Sequence, residues 1–237
     1  MATTLSVSTA DGEMALYDAE PEGPPRAAVV VVQEAFGVNG HIEDVTRRFA
    51  GAGYRAVAPH LFHRSGDPVL DYSNFDAVME HMGALSEAGL VGDLDATFGH
   101  LTAAGFELSR VGVVGFCMGG TVSFLAGATY GLGAAVTFYG GGVTEGRFGM
   151  ASLVEMAPSL KTPWLGLYGD LDEGIPVQQV ESLREAVGKA PVATEVVRYA
   201  EAGHGFHCDA RDAYHQASAT DAWQRTLDWF DRHLGAR

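Results

Sequence analysis

Short apolar runs alternate along the chain with longer segments of helical period. Six runs of five or six mostly apolar residues predict buried strands, because a strand covered by helices on both faces loses its polar positions. These runs span residues 27–32, 54–58, 111–115, 134–138, 164–168 and 194–199. The alternation predicts an α/β fold, a mostly parallel central sheet with helices on both faces.

The first residues show a different pattern, in which polar and apolar positions alternate. The stretches LSVST and MALYD stand on either side of Asp11-Gly12, and this dipeptide accepts the positive φ angles of a tight turn. We therefore expect an N-terminal antiparallel hairpin, which would make the sheet mixed at one edge.

Between the strands, apolar residues recur at helical spacing and predict helices that pack on the sheet. We assign these stripes to the core rather than to ligand contacts. The four stripes are Ile42, Val45 and Phe49; Leu90, Leu94, Phe98 and Leu101; Val177, Val180, Leu183 and Val187; and Trp223, Leu227, Phe230 and Leu234. Two irregular stretches, 59–74 and 140–158, are long enough to rim a pocket, although mobile surface loops explain them equally well.

Length and composition indicate one globular domain over residues 1–237. Hydrophobic residues make up 47% of the chain and charged residues 19%. Thirty acidic against fifteen basic side chains give a net charge of −15, which repels phosphate backbones and anionic lipid surfaces, so nucleic acid is not an expected partner. No apolar run approaches the ~20 residues that cross a bilayer, and we expect a cytoplasmic protein without membrane contact.

The two cysteines are too few for a disulfide framework and lack the paired spacing of a structural zinc site. His60 and His63, three positions apart, are expected to be solvated loop residues, because no third ligand is evident from sequence. We therefore predict no metal site and no cofactor.

A cysteine flanked by glycines follows the third apolar run. The stretch Gly115-Phe116-Cys117-Met118-Gly119 joins a predicted strand to a helix and matches a nucleophile elbow with cysteine in place of serine. The glycines have a steric purpose, since a Cβ at either would meet the neighbouring strand or helix. A small buried cysteine in a packing contact is the alternative, whereas a dinucleotide turn is disfavoured because the glycines do not spell G-x-G-x-x-G.

An aspartate and a histidine follow Cys117 in the chain order of α/β-hydrolase triads. His204 comes after the last predicted strand and would act as general base and acid, while an aspartate after the preceding strand fixes its tautomer. Asp170 and Asp172 both fit, and we prefer Asp172 because of its position before Gly-Ile-Pro. Taken alone, His204 is an ordinary loop residue, and only its place in the ordered set favours catalysis.

The first buried strand is followed by an acidic residue, Glu34. A carboxylate at the end of a buried parallel strand is costly unless it is solvated or paired. Glu34 is either an ordinary loop carboxylate or the acceptor of a hydrogen bond from the resting Cys117 thiol. The backbone N–H of Ala35 and that of Met118 would form an oxyanion hole.

Together these stretches resemble the dienelactone hydrolase family, the carboxymethylenebutenolidase-like enzymes of the α/β-hydrolase fold. The resemblance covers nearly the whole chain through VVVVQEAFGVNG, VGVVGFCMGG, FYGGG, LYGDLDEGIP and YAEAGHGF, in family order. It implies Cys117 as nucleophile, completed by Asp172 and His204, with Glu34 beside the resting thiol. It also implies Phe36, Tyr139 and Phe206 as substrate-binding residues.

Family members that act on dienelactone hold its carboxylate with two arginines, and this chain offers only Arg64 and Arg211 near the corresponding regions. A bidentate clamp is therefore not evident. We predict hydrolysis of a small-molecule ester or lactone by a monomer or homodimer. A thioesterase or general carboxylesterase using the same triad is the alternative, and a non-catalytic small-molecule-binding protein is a third.

Overall fold

One eight-stranded sheet runs through the protein, whose computed structural model describes residues 1–235 except for the side chain of Phe75. The sheet order is β1-β2-β4-β3-β5-β6-β7-β8. The strands β1 and β2 form an antiparallel hairpin, β2 is also antiparallel to β4, and the remaining neighbours are parallel. The strands are β1 (Ala2–Thr9), β2 (Gly12–Ala19), β3 (Ala28–Val32), β4 (Arg55–Pro59), β5 (Val111–Phe116), β6 (Ala134–Phe138), β7 (Trp164–Gly169) and β8 (Thr194–Tyr199).

Helices follow most of the parallel strands and cover the sheet. They are α1 (Gly40–Gly51), α2 (Phe75–Gly83), α3 (Glu87–Ala103), α4 (Met118–Thr129), α5 (Leu153–Met156), α6 (Val177–Val187) and α7 (Gln216–His233), with short 3₁₀ turns at His63–Ser65, Leu108–Arg110 and Ala157–Ser159. Within residues 1–235, no helix combines the length and the apolar character that crossing a membrane would need.

The predicted α/β architecture is confirmed, including the hairpin and the mixed edge. All six predicted buried strands form with bounds that differ by at most one residue from those expected. The valines of β3 and β5 have no exposed surface, because these two neighbouring strands lie in the middle of the sheet and helices cover both of its faces.

The predicted apolar stripes also fall on helices α1, α3, α6 and α7, except that Leu234 follows the last residue of α7. The two irregular stretches contain more regular structure than expected, since one includes a 3₁₀ turn and the other includes α5.

The site depends on where the parallel strands end. In an open α/β sheet, ligands bind beyond the carboxyl ends of the strands. Glu34 follows β3, Cys117 follows β5, Asp172 follows β7 and His204 follows β8. Four segments that are far apart in the sequence therefore reach the same edge of the sheet.

Candidate active site

Cys117 lies on a sharp turn between β5 and α4 in a strained backbone conformation, with φ 54° and ψ −115°. Non-glycine residues rarely adopt positive φ, and such strain is typical of functional sites. A Cβ at Gly115 would collide with the carbonyl of Gly119, and one at Gly119 would collide with the carbonyls of Val32 and Gln33. Both glycines are therefore required for the turn, as the sequence pattern predicted.

Two backbone N–H groups near the cysteine are available to a ligand. Met118 is the first residue of α4, and the opening N–H groups of a helix have no acceptor within the helix. Across residues 1–235, neither the N–H of Met118 nor that of Ala35 has a protein acceptor. The positive end of the α4 dipole also favours a negative charge at this position.

His204 and Asp172 form a short hydrogen bond, with 2.6 Å between Nδ1 of the imidazole and Oδ2 of the carboxylate. The other carboxylate oxygen of Asp172 accepts the N–H groups of Gly174 and Ile175 at 2.9 and 3.1 Å. Asp172 is almost completely buried, and hydrogen bonds hold both of its carboxylate oxygens in place. Its contacts fix the orientation of the imidazole.

Asp170, the alternative acid, is engaged elsewhere. Its two oxygens accept a forked pair of hydrogen bonds from Arg198 of β8, both at 2.7 Å. The Arg198 guanidinium lowers the pKa of the Asp170 carboxyl group. Of the two aspartates, the structure therefore brings only Asp172 to His204.

Cys117 and His204 line the same cavity, and the Cys117 sulfur acts electrostatically on the His204 imidazole. Burial lowers the pKa of His204, but the Cys117 sulfur and the Asp172 carboxylate outweigh burial and raise that pKa from 6.5 to about 10. Negative charge beside an imidazole stabilises its protonated form.

Glu34 is completely buried, yet it does not form the expected hydrogen bond with the Cys117 thiol. Its Oε1 accepts the hydroxyl of Tyr139 at 3.4 Å and lies 3.8 Å from Nη1 of Arg211. The expectation of a resting thiol–carboxylate contact is corrected, because the Glu34 carboxylate is oriented towards Tyr139 and Arg211 instead. Burial raises the pKa of Tyr139, and the neighbouring Glu34 carboxylate raises that pKa further.

The cavity above Cys117 has a volume of about 490 Å³. The apolar part of its lining, here called the apolar wall, includes Phe36, Ile175 and the α2 side chains Val78, Met79 and Met82. Leu171 and Met79 are strongly exposed at its rim, at 63% and 66%. The cavity therefore accommodates a small molecule with an apolar part next to the thiol.

The predicted substrate-binding residues occupy different depths. Phe36 lines the cavity. Tyr139 and Phe206 are fully buried and pack against each other at a ring separation of 5.3 Å, with Tyr139 5.1 Å from the ring of His204. Neither of these two residues is part of the cavity lining. Tyr139 packs against the His204 imidazole, and Phe206 packs against Tyr139.

Two arginines reach the cavity, and sequence analysis anticipated only one of them. Arg211 extends over Phe36, with its guanidinium carbon 5.3 Å from the ring centroid, whereas Arg64 is bound to Asp93 and Asp11 away from the cavity. Arg147 also lines the cavity, where it packs across Gly141. No local motif marked Arg147, because it lies in an irregular segment after β6.

The histidines considered for metal binding are paired with carboxylates. His60 contacts Asp67 at 2.8 Å and His63 contacts Asp93 at 2.9 Å. A different group of possible ligand atoms, from Glu34, His41 and Cys208, lies together in the interior. The sequence did not predict this group, because its members come from three separate segments.

Residues 14–234 match the model of the dienelactone hydrolase family. The chain belongs to the dienelactone hydrolase family. A relative from Yersinia pestis, provisionally named a carboxymethylenebutenolidase, is 40% identical over 93% of this chain and 84% of its own length. The carboxymethylenebutenolidase of Pseudomonas putida is 29% identical over 95% of this chain and 94% of its own.

Solved structures agree with this membership. A Klebsiella pneumoniae protein, provisionally named a dienelactone hydrolase, superposes with a TM-score of 0.90 at 38% identity and covers 97% of this chain and 98% of its own. An esterase from Pyrococcus furiosus shares the α/β-hydrolase fold at a TM-score of 0.74 and 14% identity, covering 99% of this chain and 92% of its own. The family member described here is thus a carboxylic ester hydrolase.

Proposed function

We propose that this dienelactone hydrolase family member cleaves an ester or lactone through a covalent acyl-enzyme on Cys117. The observation that carries the proposal is the 2.6 Å bond from His204 to Asp172, at a cavity that also contains Cys117 on its strained turn. A nucleophile, a base and a group that orients the base are the parts that nucleophilic catalysis requires.

In the acylation step, the Cys117 sulfur attacks the substrate carbonyl carbon and a C–S bond forms. The carbonyl oxygen becomes an oxyanion, which the N–H groups of Ala35 and Met118 stabilise. As the tetrahedral intermediate collapses, the C–O bond breaks and protonated His204 gives its proton to the leaving oxygen. In a lactone, that oxygen stays attached to the acyl group.

In the deacylation step, water attacks the thioester carbonyl carbon. His204, now neutral, takes the proton from this water, and the Asp172 carboxylate stabilises the resulting imidazolium. Collapse of the second intermediate releases the carboxylic acid and returns the Cys117 thiolate beside protonated His204. These steps consume one water molecule and need no redox partner.

The cavity favours a substrate that carries a carboxylate. Arg147 and Arg211 both line the cavity, and no carboxylate within residues 1–235 lies within ion-pair distance of Arg147. Guanidinium groups bind carboxylates through paired hydrogen bonds. The apolar wall of Phe36, Val78 and Met82 would then hold the hydrocarbon part of the substrate.

The apolar wall also supports a second candidate function on the same residues, a general carboxylesterase or thioesterase. A rate panel separates these possibilities: cis-dienelactone, simple lactones, p-nitrophenyl esters and acyl thioesters, with Cys117→Ala as the blank. The proposal predicts the highest kcat/KM for an ester or lactone that carries a carboxylate. Preference for neutral esters or for thioesters would select the alternative.

A non-catalytic binding protein with the same cavity makes a different prediction. Such a protein would have no turnover with any member of the panel, and its Cys117 would not react with iodoacetamide between about pH 6 and 9. The proposed enzyme would be alkylated rapidly and inactivated in proportion to the alkylated fraction.

Cellular location and oligomeric state are part of the proposal. Cys117 and Cys208 are both unpaired, and a catalytic thiol works best in a reducing compartment such as the cytoplasm. We propose a cytoplasmic enzyme that acts as a monomer or homodimer, since the proposed catalytic residues all come from one chain. Fractionation of the native cells and sedimentation analysis test these two statements.

A further inference from the structure

A cluster of three side chains with metal-binding chemistry lies in the interior beside the catalytic cavity. Glu34 follows β3, His41 is in the first turn of α1, and Cys208 is in the loop after β8. One potential ligand atom from each residue lies within 4.8 Å of those from the other two. All three residues are buried, with exposures of 0%, 6% and 0%.

Several polar atoms of this cluster have no hydrogen-bond partner in the protein. Oε2 of Glu34 and both ring nitrogens of His41 are buried without a hydrogen-bond partner. Cys208 has a long contact with the hydroxyl of Tyr72 at 3.6 Å. Buried polar groups are nearly always hydrogen-bonded, so three unpartnered atoms within one small cluster point to a ligand that they bind together.

The charged neighbours leave one atom of His41 and one atom of Glu34 available. Asp209 faces His41 Nδ1 at 3.4 Å and pairs with Arg48 at 2.6 Å, so Nε2 is the ring nitrogen that remains for a cation. Arg211 lies 3.8 Å from Oε1 of Glu34, the oxygen that also faces Tyr139. The other oxygen, Oε2, is the one that remains for a cation.

We propose that Glu34, His41 and Cys208 form a binding site for a divalent transition metal of the zinc type. A set of one carboxylate oxygen, one imidazole nitrogen and one thiolate sulfur suits Zn²⁺, whereas Mg²⁺ and Ca²⁺ prefer six or more oxygen ligands. Binding removes the thiol proton of Cys208 to solvent and forms the metal–sulfur bond. Water would complete the tetrahedral coordination.

The geometry needs only a modest adjustment. Zinc bond lengths of about 2.0 Å to oxygen and nitrogen and about 2.3 Å to sulfur place tetrahedral ligands roughly 3.3–3.5 Å apart. The observed upper limit of 4.8 Å requires a contraction of at most about 1.5 Å, which rotation of the Glu34 and His41 side chains supplies. The Cys208 thiol contacts the hydroxyl of Tyr72, which is a loop residue, and we expect movement of this loop to admit the metal.

Metal binding here does not depend on the proposed hydrolysis, but it would act on the same site. Glu34 directly precedes Ala35, whose N–H is a proposed oxyanion donor. A bound cation would hold the Glu34 carboxylate in the interior and fix the backbone beside that donor. The metal would thereby couple the occupancy of the interior site to the shape of the catalytic cavity.

Cobalt spectroscopy tests the site without measuring activity. The chain has two cysteines, so in the variant Cys117→Ala a thiolate-to-cobalt charge-transfer band can arise only from Cys208. We expect this metal-free variant to bind one equivalent of Co²⁺ with such a band and to lose the band when Zn²⁺ displaces the cobalt. His41→Gln in the same background should weaken binding at least about 10-fold, and His215→Gln, a histidine outside the cluster, should not.

Three results of the cobalt experiment would overturn the proposal. A band in the unsubstituted protein that is absent from Cys117→Ala would assign the metal to the catalytic thiol and overturn the proposal. So would the absence of a band from both proteins, or a band that His41→Gln leaves unchanged. Because Cys117→Ala alone reports on Cys208, the decision does not require a Cys208 variant to fold.

Discussion

Replacing Asp172 with asparagine tests the orientation of His204 most sharply. In the protein, Oδ1 of Asp172 accepts two backbone N–H groups while Oδ2 accepts His204 Nδ1. The asparagine oxygen would keep the two backbone bonds, so its NH₂ group would face the imidazole. Nδ1 would then have to accept a hydrogen bond, so the proton of the neutral imidazole would lie on Nε2. Nε2 is the atom that must take up a proton during catalysis.

The wrong tautomer removes general base and acid catalysis together. We expect Asp172→Asn to lower kcat/KM by about 10² to 10⁴-fold, which is ~3–5 kcal/mol of transition-state stabilisation. Stopped-flow release of p-nitrophenol from an activated ester measures the acylation step directly. Circular dichroism should show that the variant remains folded.

Asp170→Asn provides the matched control, because Asp170 precedes the same turn but pairs with Arg198. This pair is partly exposed, and such pairs contribute about 1 kcal/mol or less, so activity should change less than about 3-fold. Equal losses in the two variants, or no loss in Asp172→Asn, would refute the proposed role of Asp172.

Three further predictions concern pH, specificity and stability. Because the pKa of His204 is raised to about 10, its imidazolium persists up to that pH, and the acylation rate should fall only above pH 10. In Asp172→Asn the midpoint of this fall should lie at lower pH, and identical pH profiles of the two proteins would contradict the prediction. Arg147→Gln should raise KM about 10-fold for esters that carry a carboxylate and leave neutral esters unchanged, since it removes one charge-assisted hydrogen bond; equal effects on both substrate classes would exclude the contact. Gly115→Ala should lower the free energy of unfolding in urea by ~3 kcal/mol or more, because its methyl group collides with the backbone at the elbow. Gly99→Ala on α3, whose methyl group meets nothing within 4 Å, should raise it by up to about 1 kcal/mol. Similar stabilities of the two variants would refute the steric argument.

The sequence predicted the sheet well because buried strands appear in it as continuous apolar runs. The segments 134–138 and 194–199 form strands with the expected bounds, and each lies between polar or glycine-rich residues that limit it. The helix α2 was not predicted, since its nine residues are too few for a recognisable period.

The candidate site was only partly predictable, because spacing along the chain does not specify side-chain partners. The motif around Cys117 and the loop containing His204 carry recognisable residue patterns, and both segments line the same cavity. The choice between Asp170 and Asp172 depended on Arg198, whose contact with Asp170 is made across the β7–β8 pair and leaves no local signal.

Other features of the site arise only from folding. Arg147 enters the cavity from an irregular segment, and no pattern of residue types marks such a position. The cluster of Glu34, His41 and Cys208 brings together residues up to 174 positions apart. Neither feature has a spacing that sequence analysis can recognise.

If Cys117 becomes covalently acylated, intact-protein mass spectrometry will detect the acyl-enzyme. After rapid acid quenching of a reaction with an activated ester, we expect the protein mass to increase by one acyl group, which peptide mapping assigns to Cys117. The variant Cys117→Ala should show neither the adduct nor turnover. Hydrolysis by this variant at the rate of the unsubstituted protein, or an adduct on another residue, would show that Cys117 is not the nucleophile.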